Sequence, residues 1–498
     1  MFHKIKQKFE SAKEHHGGNS QTNFGISIPT AGDISKREIY RNRYNHGVNL
    51  GSCFVNESWI YDTIFEKGGD NEYDAVSRQV KETSVDEAAE NLSRHYKEYI
   101  SKIDWKWLKE EAGITALRVP VGYWHVGNGK FVKSLAFESL QNVYAKAKPW
   151  DAFKDLIKKA EENDIGILVD IHGLPGGANT DSHSGESVKT ASFFGSRSYV
   201  DIMVNEVIPF IVTDVCQGNE NIIGLQIVNE AAFDNDAKKQ KKYYSRAVKS
   251  VKSIDESLPV VISDGWWPQQ WSDWLEKEKL DTSVVIDSHV YRCFSDDDKS
   301  KNADSICKDI PNSINFPRDK ADYVVGEFSC VLDGETWSKT KETRDECVKK
   351  FGNSEIKQFS QVASWGWFFW TLQFKYGDGG EWGLKPMTEK GAIPKRPKDA
   401  SIPPDENKIK DIIKEHNDYW KDKGGDKMEH WRFEDAIRCA IADIEAFHKF
   451  DGSRLGRWHA WSEQRKLQHI QEKGESDYIW EWKQGYQRAL DEFNGYHY

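Results

Sequence analysis

The chain has 498 residues and a net charge of -11, from 69 Lys+Arg against 80 Asp+Glu, which disfavours nucleic acid or an acidic membrane surface as partner and suits a neutral ligand. Aromatic residues make up 13% of it, with 20 Trp, enough for a large core or for flat stacking platforms. Its 7 Cys are odd in number and form no CxxC pair, so reduced thiols are expected and a disulfide framework or zinc site is not.

The first residues, MFHKIKQKFESAKEHH, lack the apolar stretch of a secretory signal, and nowhere do about 18 apolar residues run together. A cytoplasmic protein, neither exported nor membrane-spanning, is expected. The basic, weakly amphipathic start leaves a mitochondrial presequence as the lesser alternative, against which Glu10 and Glu14 count. Residues 1–40 read as a polar arm.

From residue 41 to 400, short apolar runs with a β-branched bias alternate with helix-length segments. The runs are His46 to Gly51, Thr115 to Gly122, Ile165 to Gly173, Ile222 to Glu230, Pro259 to Gly265, Val284 to Tyr291, Asp322 to Ser329 and Trp365 to Gln373. Between them lie amphipathic helix candidates at Ala88 to Ala112, Trp150 to Asn163, Tyr199 to Val215, Lys238 to Ile254 and Lys341 to Phe351. Strands joined by helical crossovers run parallel, and this many units predicts an α/β fold of the closed (β/α)8 barrel type. The rival is an open doubly wound sheet, which wants a glycine-rich phosphate turn after its first strand; the GVNLGS stretch lacks the GxGxxG spacing. Residues 401–498 predict a helical extension: Asn407 to Lys423, Trp431 to Phe450, Arg454 to Gln471 and Asp477 to Phe493, whose aromatics are expected to pack on the barrel or on one another.

In such a barrel the site is built where strands finish. The runs close on Arg118, on Asp170 and His172, on Asn229 and Glu230, on Asp264, on His289 and Tyr291, on Glu327 and on Trp370. Each has a structural reading alone, such as an Arg118–Asp170 ion pair or core histidines. Polar groups on so many apolar runs at one rim point instead to a site. A carboxylate at the end of a buried run is costly to desolvate, so Glu230 and Glu327 are the informative pair. Facing each other roughly 5 Å apart, they suit retaining glycoside hydrolysis, one attacking the anomeric carbon and the other protonating the departing oxygen. Repulsion is expected to raise the pKa of the acid, while Arg118 keeps Glu327 ionised; Asn229 can donate to the sugar 2-hydroxyl. Asp181-Ser-His-Ser184 has the residue types of a nucleophilic triad, but neighbours in sequence cannot adopt that geometry, so it reads as a polar loop. Trp266, Trp267 and Trp271 read as a sugar platform or as a shield for the rim.

Asn229-Glu230, Gly326-Glu-Phe-Ser329, Arg118-Val-Pro120, Asp170-Ile-His-Gly-Leu-Pro-Gly176, His289-Val-Tyr291 and Trp367-Phe-Phe-Trp370 together resemble glycoside hydrolase family 5, in its fungal exo-β-1,3-glucanase branch, from about His46 to Pro394. The resemblance implies a retaining β-glucosidase that needs no cofactor or metal, with Glu230 as acid/base and Glu327 as nucleophile. It further implies that Glu57, Arg118, His172, Asn229, His289, Tyr291 and Trp370 line a glucose subsite and that Phe294 clamps the next sugar. The chain departs from the branch in having Ala231 after Glu230 and no aromatic near Thr180 or Asp181 to face Phe294. Together these predict an exo-acting β-glucosidase on a glucoside with a small or apolar aglycone. The alternatives are an exo-β-1,3-glucanase on glucan oligosaccharides, or a noncatalytic glycan-binding scaffold that meets a protein partner through its C-terminal helices.

Overall fold

The computed structural model describes residues 31–278, 284–397 and 405–495. Eight parallel strands close into a barrel in sequence order: β1 (Asn45–Asn49), β2 (Ala116–Gly122), β3 (Gly166–Gly173), β4 (Ile222–Gln226), β5 (Val260–Ser263), β6 (Val284–Val290), β7 (Asp322–Phe328) and β8 (Gly366–Phe369), with β8 pairing back to β1. Helices lie between consecutive strands, as the predicted alternation requires.

Two-residue alternation along each strand organises the interior. Ala116, Leu168, Ile223, Val261, Val285, Val324 and Phe368 form one apolar cluster, with Tyr40 and Trp365 beside it. Gly47 belongs to this level because a Cβ there would stand 2.2 Å from the Phe368 ring. One alternation further along, the inward residues turn polar: Asn49 after Gly47, Arg118 after Ala116, Asp170 after Leu168 and Asp287 after Val285. All of these are buried. A dry layer thus carries a charged layer above it, nearer the C-terminal ends of the strands. The larger apolar core fills the space between barrel and helices.

Several elements differ from expectation. β4 ends at Gln226, Ile227 N gives the last bond to Val261 O at 3.0 Å, and residues 228–230 leave the ladder, with Glu230 at φ 41°. The helix expected over Ala88 to Ala112 is Val85–Ser101, capped by Ser84, followed by a short turn of wide helix, Trp107–Ala112, that Gly113 ends in the left-handed conformation at φ 72°. The helix expected to stop at Phe351 continues to Val362. Residues 36–40, read as part of the polar arm, belong to a helix, Lys36–Asn42, that buries Ile39 and Tyr40. The rest of that arm, residues 1–30, lies outside the described residues.

Beyond the barrel come Glu406–Lys421, His430–Lys449, Trp458–Lys473 and Ile479–Phe493. Asp443 gathers three of these helices, accepting from Arg465, Trp461 and Tyr486 while itself fully buried. The extension sits on the end of the barrel where strands begin: Arg43 and Leu455 form a bridge, Tyr44 N donates to Arg454 O, and Arg457 reaches Asn42. Trp461, Trp482, Phe433 and Phe447 are buried there, whereas Trp431 stays about half exposed at 47%.

Candidate active site

At the opposite end, where strands finish, a cavity of about 1060 Å3 opens. Its wall includes Glu57, His172, Asn229, Glu230, His289, Tyr291, Phe294, Glu327 and Trp370. Arg118 lies beneath them, fully buried, and organises the floor. Its NH1 donates to Glu327 Oε1 at 2.8 Å and Asn49 Oδ1 at 2.9 Å, its NH2 to Asn229 Oδ1 at 2.7 Å, and its Nε to Gln226 Oε1 at 2.9 Å, while NH2 forms an ion pair with Asp170 Oδ2 at 3.0 Å. Burial opposes this guanidinium charge, but Asp170, Glu327 and Asp287 outweigh it and hold the group firmly ionised. Every residue expected in the site is therefore at one end of one barrel, ten in all when Arg118 is counted with those on the wall.

The two carboxylates meet over His289. Glu230, Glu327 and His289 each offer a ligand atom within 4.8 Å of the other two. His289 Nδ1 is 2.7 Å from Glu230 Oε1 and 3.5 Å from Glu327 Oε2. Its Nε2 is 3.0 Å from Asp287 Oδ2. With carboxylates at both ring nitrogens it is an imidazolium: burial opposes the charge, and Glu327 and Asp287 outweigh burial, so its pKa stands well above the ordinary histidine value. Tyr291 OH donates to Glu327 Oε2 at 2.8 Å. Glu327 is preceded by Gly326, where a Cβ would stand 2.2 Å from Asp287 Oδ1, the oxygen that accepts from Gly326 N at 2.7 Å. A glycine before the glutamate is thus what lets Asp287 reach under β7.

Glu230 reverses one expectation. Its pKa is pulled well below the ordinary carboxyl value: burial alone would raise it, but His183 and His289 both hydrogen-bond to it and win. Sequence reasoning anticipated carboxylate repulsion; it placed His289 in the site but not its effect on Glu230, and it missed His183. His183 Nε2, from the stretch read as a polar loop, is 3.0 Å from Glu230 Oε2. No sequence signal marked it, because a loop residue's partner depends on how the loop folds over the rim. Asp287 was missed too, although it had a signal: it sits two residues before His289 on β6 and so shares its face.

The remaining residues complete the wall. His172 Nδ1 is 2.7 Å from Asp170 Oδ2, and its Nε2 faces Asn229 Nδ2 at 3.3 Å. Trp370 stacks near His172 with an interplanar angle of 16°. Glu57 accepts from Trp59 Nε1 at 2.9 Å, and burial raises its pKa against the lowering effect of His183. Phe294 stands out at the mouth, 64% exposed, with Trp382 and Tyr291 beside it. The tryptophans after β5 divide: Trp271 is buried and donates to Asp264 O at 2.7 Å, while Trp266 lines the cavity. Neither a platform alone nor a shield alone describes them.

A family profile described as Cellulase (glycosyl hydrolase family 5) matches residues 74–375, more than half of the chain. The chain belongs to glycosyl hydrolase family 5. A second profile, the glucan 1,3-beta-glucosidase 3 C-terminal domain, matches residues 404–497, the helices that seal the base of this family 5 barrel. An uncharacterized glycosyl hydrolase of Saccharomyces cerevisiae is 53% identical over 100% of both chains. Glucan 1,3-beta-glucosidase 3 of Schizosaccharomyces pombe is 32% identical over 92% of this chain and 96% of its own. Among solved structures, the rutinosidase from Aspergillus niger shares the fold, with a TM-score of 0.53 at 21% identity over 71% of this chain and 99% of its own. The family 5 chain is a glycosidase of the group that acts on β-glucosides. No helix among the described residues is long and apolar enough to cross a membrane, and none of the 7 Cys is in a disulfide.

Proposed function

We propose that this chain is a retaining, exo-acting β-glucosidase that releases glucose through a covalent glucosyl-enzyme, with Glu327 as nucleophile and Glu230 as acid/base. The observation that carries the reading is the approach of the two carboxylates and His289 to within 4.8 Å. Retaining enzymes hold their carboxyl groups about 5–5.5 Å apart, whereas inverting enzymes leave roughly 6.5–9.5 Å for a water. Arg118 and Tyr291 each bond one oxygen of Glu327, which suits a carboxylate that must stay ionised to attack. Asn229, His172, Glu57 and Trp370 would grip the glucose unit, and Phe294 would meet the group beyond it.

The names of the relatives favour β-1,3-linked glucan oligosaccharides as substrate, and the C-terminal profile carries the same enzyme name. A small or apolar aglycone is the second reading, favoured by the aromatic mouth of Trp59, Trp266, Phe294 and Trp382. Turnover of laminari-oligosaccharides against aryl and lipid glucosides separates the two. For the mechanism, Glu327→Ala should lose activity by about a thousandfold or more and regain part of it with azide, giving the inverted α-glucosyl azide. Glu230→Ala should instead slow poor leaving groups most and give the β-azide with good ones. Equal, modest losses for both variants, with no azide product, would overturn the assignment.

A further inference from the structure

Both oxygens of Glu230 are occupied by imidazoles, and the two imidazoles differ in kind. His289 is anchored from the barrel floor by Asp287. His183 comes from the loop after β3 at the mouth, where neighbouring Asp181 is exposed. Its Nε2 is 3.0 Å from Glu230 Oε2 and 3.8 Å from Asp181 Oδ2, and its Nδ1 is buried with no hydrogen-bond partner among the described residues. The ring meets His172 edge-on at 5.4 Å. Across the cavity it faces the charges of Glu57 and Glu327 as well.

This arrangement poses a problem for the reading of Glu230 as the acid. A carboxyl group held between two cationic rings is ionised in the empty site, yet an acid must carry a proton when the glycosidic bond breaks. Resting on that reading, we propose that His183 is a positioning residue that stores the proton for Glu230 and holds Oε2 at the leaving-group side. The Nε2–H proton passes to Glu230 Oε2. The carboxylic proton then passes to the glycosidic oxygen, which keeps the electron pair of its broken bond to the anomeric carbon, and His183 is left neutral. In the second half-reaction the attacking water gives its proton to the Glu230 carboxylate, which returns it to His183. The acid thereby stays loaded to a pH set by the histidine, whose pKa its carboxylate neighbours, against burial, lift to about 9. Without His183 the proton rests on Glu230 alone, whose pKa His289 still lowers, so it is lost at a lower pH than the histidine would lose it.

The test is the pH profile of kcat/KM for His183→Gln and His183→Ala beside the unaltered enzyme, each with an alkyl glucoside and with dinitrophenyl glucoside. The alkaline limb should move down by at least about one unit with the alkyl glucoside, which becomes a loss of about tenfold or more on the alkaline side of the unaltered limb, near pH 10. The loss should be much smaller with dinitrophenol, which leaves without a proton, and KM should change little. Gln keeps a hydrogen-bond donor but carries no transferable proton, so it should fail as Ala does. An alkaline limb left in place, or equal losses on both substrates, overturns the proposal. Glu230→Ala run in parallel separates the two ideas: if it also lacks leaving-group dependence, the acid assignment itself is wrong, whereas dependence in Glu230→Ala alone removes His183 only.

Discussion

Two carboxylates on the same strand, β7, have opposite surroundings. At its start, Asp322 accepts from Ser364 Oγ at 2.8 Å, from His459 N at 3.0 Å and from Ala460 N at 3.1 Å, with Arg457 Nε 3.7 Å away. Two of these donors are backbone groups in the first turn of the Trp458–Lys473 helix, where amides lack partners of their own and the helix dipole favours an anion. Near the strand's other end, Glu327 accepts from the side chains of Arg118 and Tyr291 and borders open space. The first group is locked by main chain and holds the extension on the barrel. The second is bonded by side chains that leave a face free for a ligand. The contrast shows that burial of a carboxylate alone does not mark a site; the kind of donor and the presence of a cavity do.

The sharpest way to break the contrast is at Arg118. Arg118→Ala leaves Asp170, Asp287 and Glu327 in the floor without their cation, and removing one partner of a buried pair costs about 3–5 kcal/mol. Activity should vanish along with that stability, read from chemical denaturation and from glucose release. Arg118→Lys should not restore it, because one ammonium cannot reach Gln226, Asn49, Glu327, Asn229 and Asp170 together. At the base the outcome should divide differently. Asp322→Ala strands two helix amides and Arg457, a buried guanidinium whose pKa burial has already lowered to about 10. A loss of about 2–4 kcal/mol is expected, with kcat per folded molecule unchanged. A fall in kcat to match the fall in stability would mean that the base and the mouth are coupled and the contrast is false.

The mouth was largely legible in the sequence because a strand buried on both faces reads as an apolar run, so Arg118, Asp170, His289 and Glu327 stand out on it, Glu327 even though a register shift in β7 takes it off the alternation of Val324 and Gly326. The helical character of the extension was legible from its periodicity. What was not legible depends on contacts between distant segments. Asp322 reads only as the first residue of a run, and its role needs the Trp458 helix to arrive more than a hundred residues later. The true end of β4 is set by its short pairing with β5, which holds only Leu225 and Gln226, and no local signal announces it. His183 and the direction of the Glu230 shift were hidden for the same reason. Phe294 and the divided tryptophans after β5 were visible as aromatics, but not in which direction they would face.

A third buried carboxylate, at neither end, sharpens the contrast with the smallest effect. Glu355, on the helix Arg344–Val362, is fully buried, and among the described residues neither of its oxygens has a hydrogen-bond partner. Burial pushes its pKa well above the ordinary carboxyl value, with Arg292 only partly opposing. The folded state therefore keeps a proton that the unfolded state has lost. Stability from this group is complete below the unfolded value of about 4.3 and declines as pH rises through the folded value, by at most about 1.4 kcal/mol per pH unit. Glu355→Gln removes the ionisation and keeps the shape, so its stability should not show this decline, and its kcat should equal that of the unaltered enzyme. Denaturation midpoints at several pH values from 4 to 8 read the slope. A slope identical in the two proteins would mean that Glu355 has a partner or a water path that ionises it in the fold, and that an unsatisfied buried carboxylate here is no different from the satisfied ones at either end of β7.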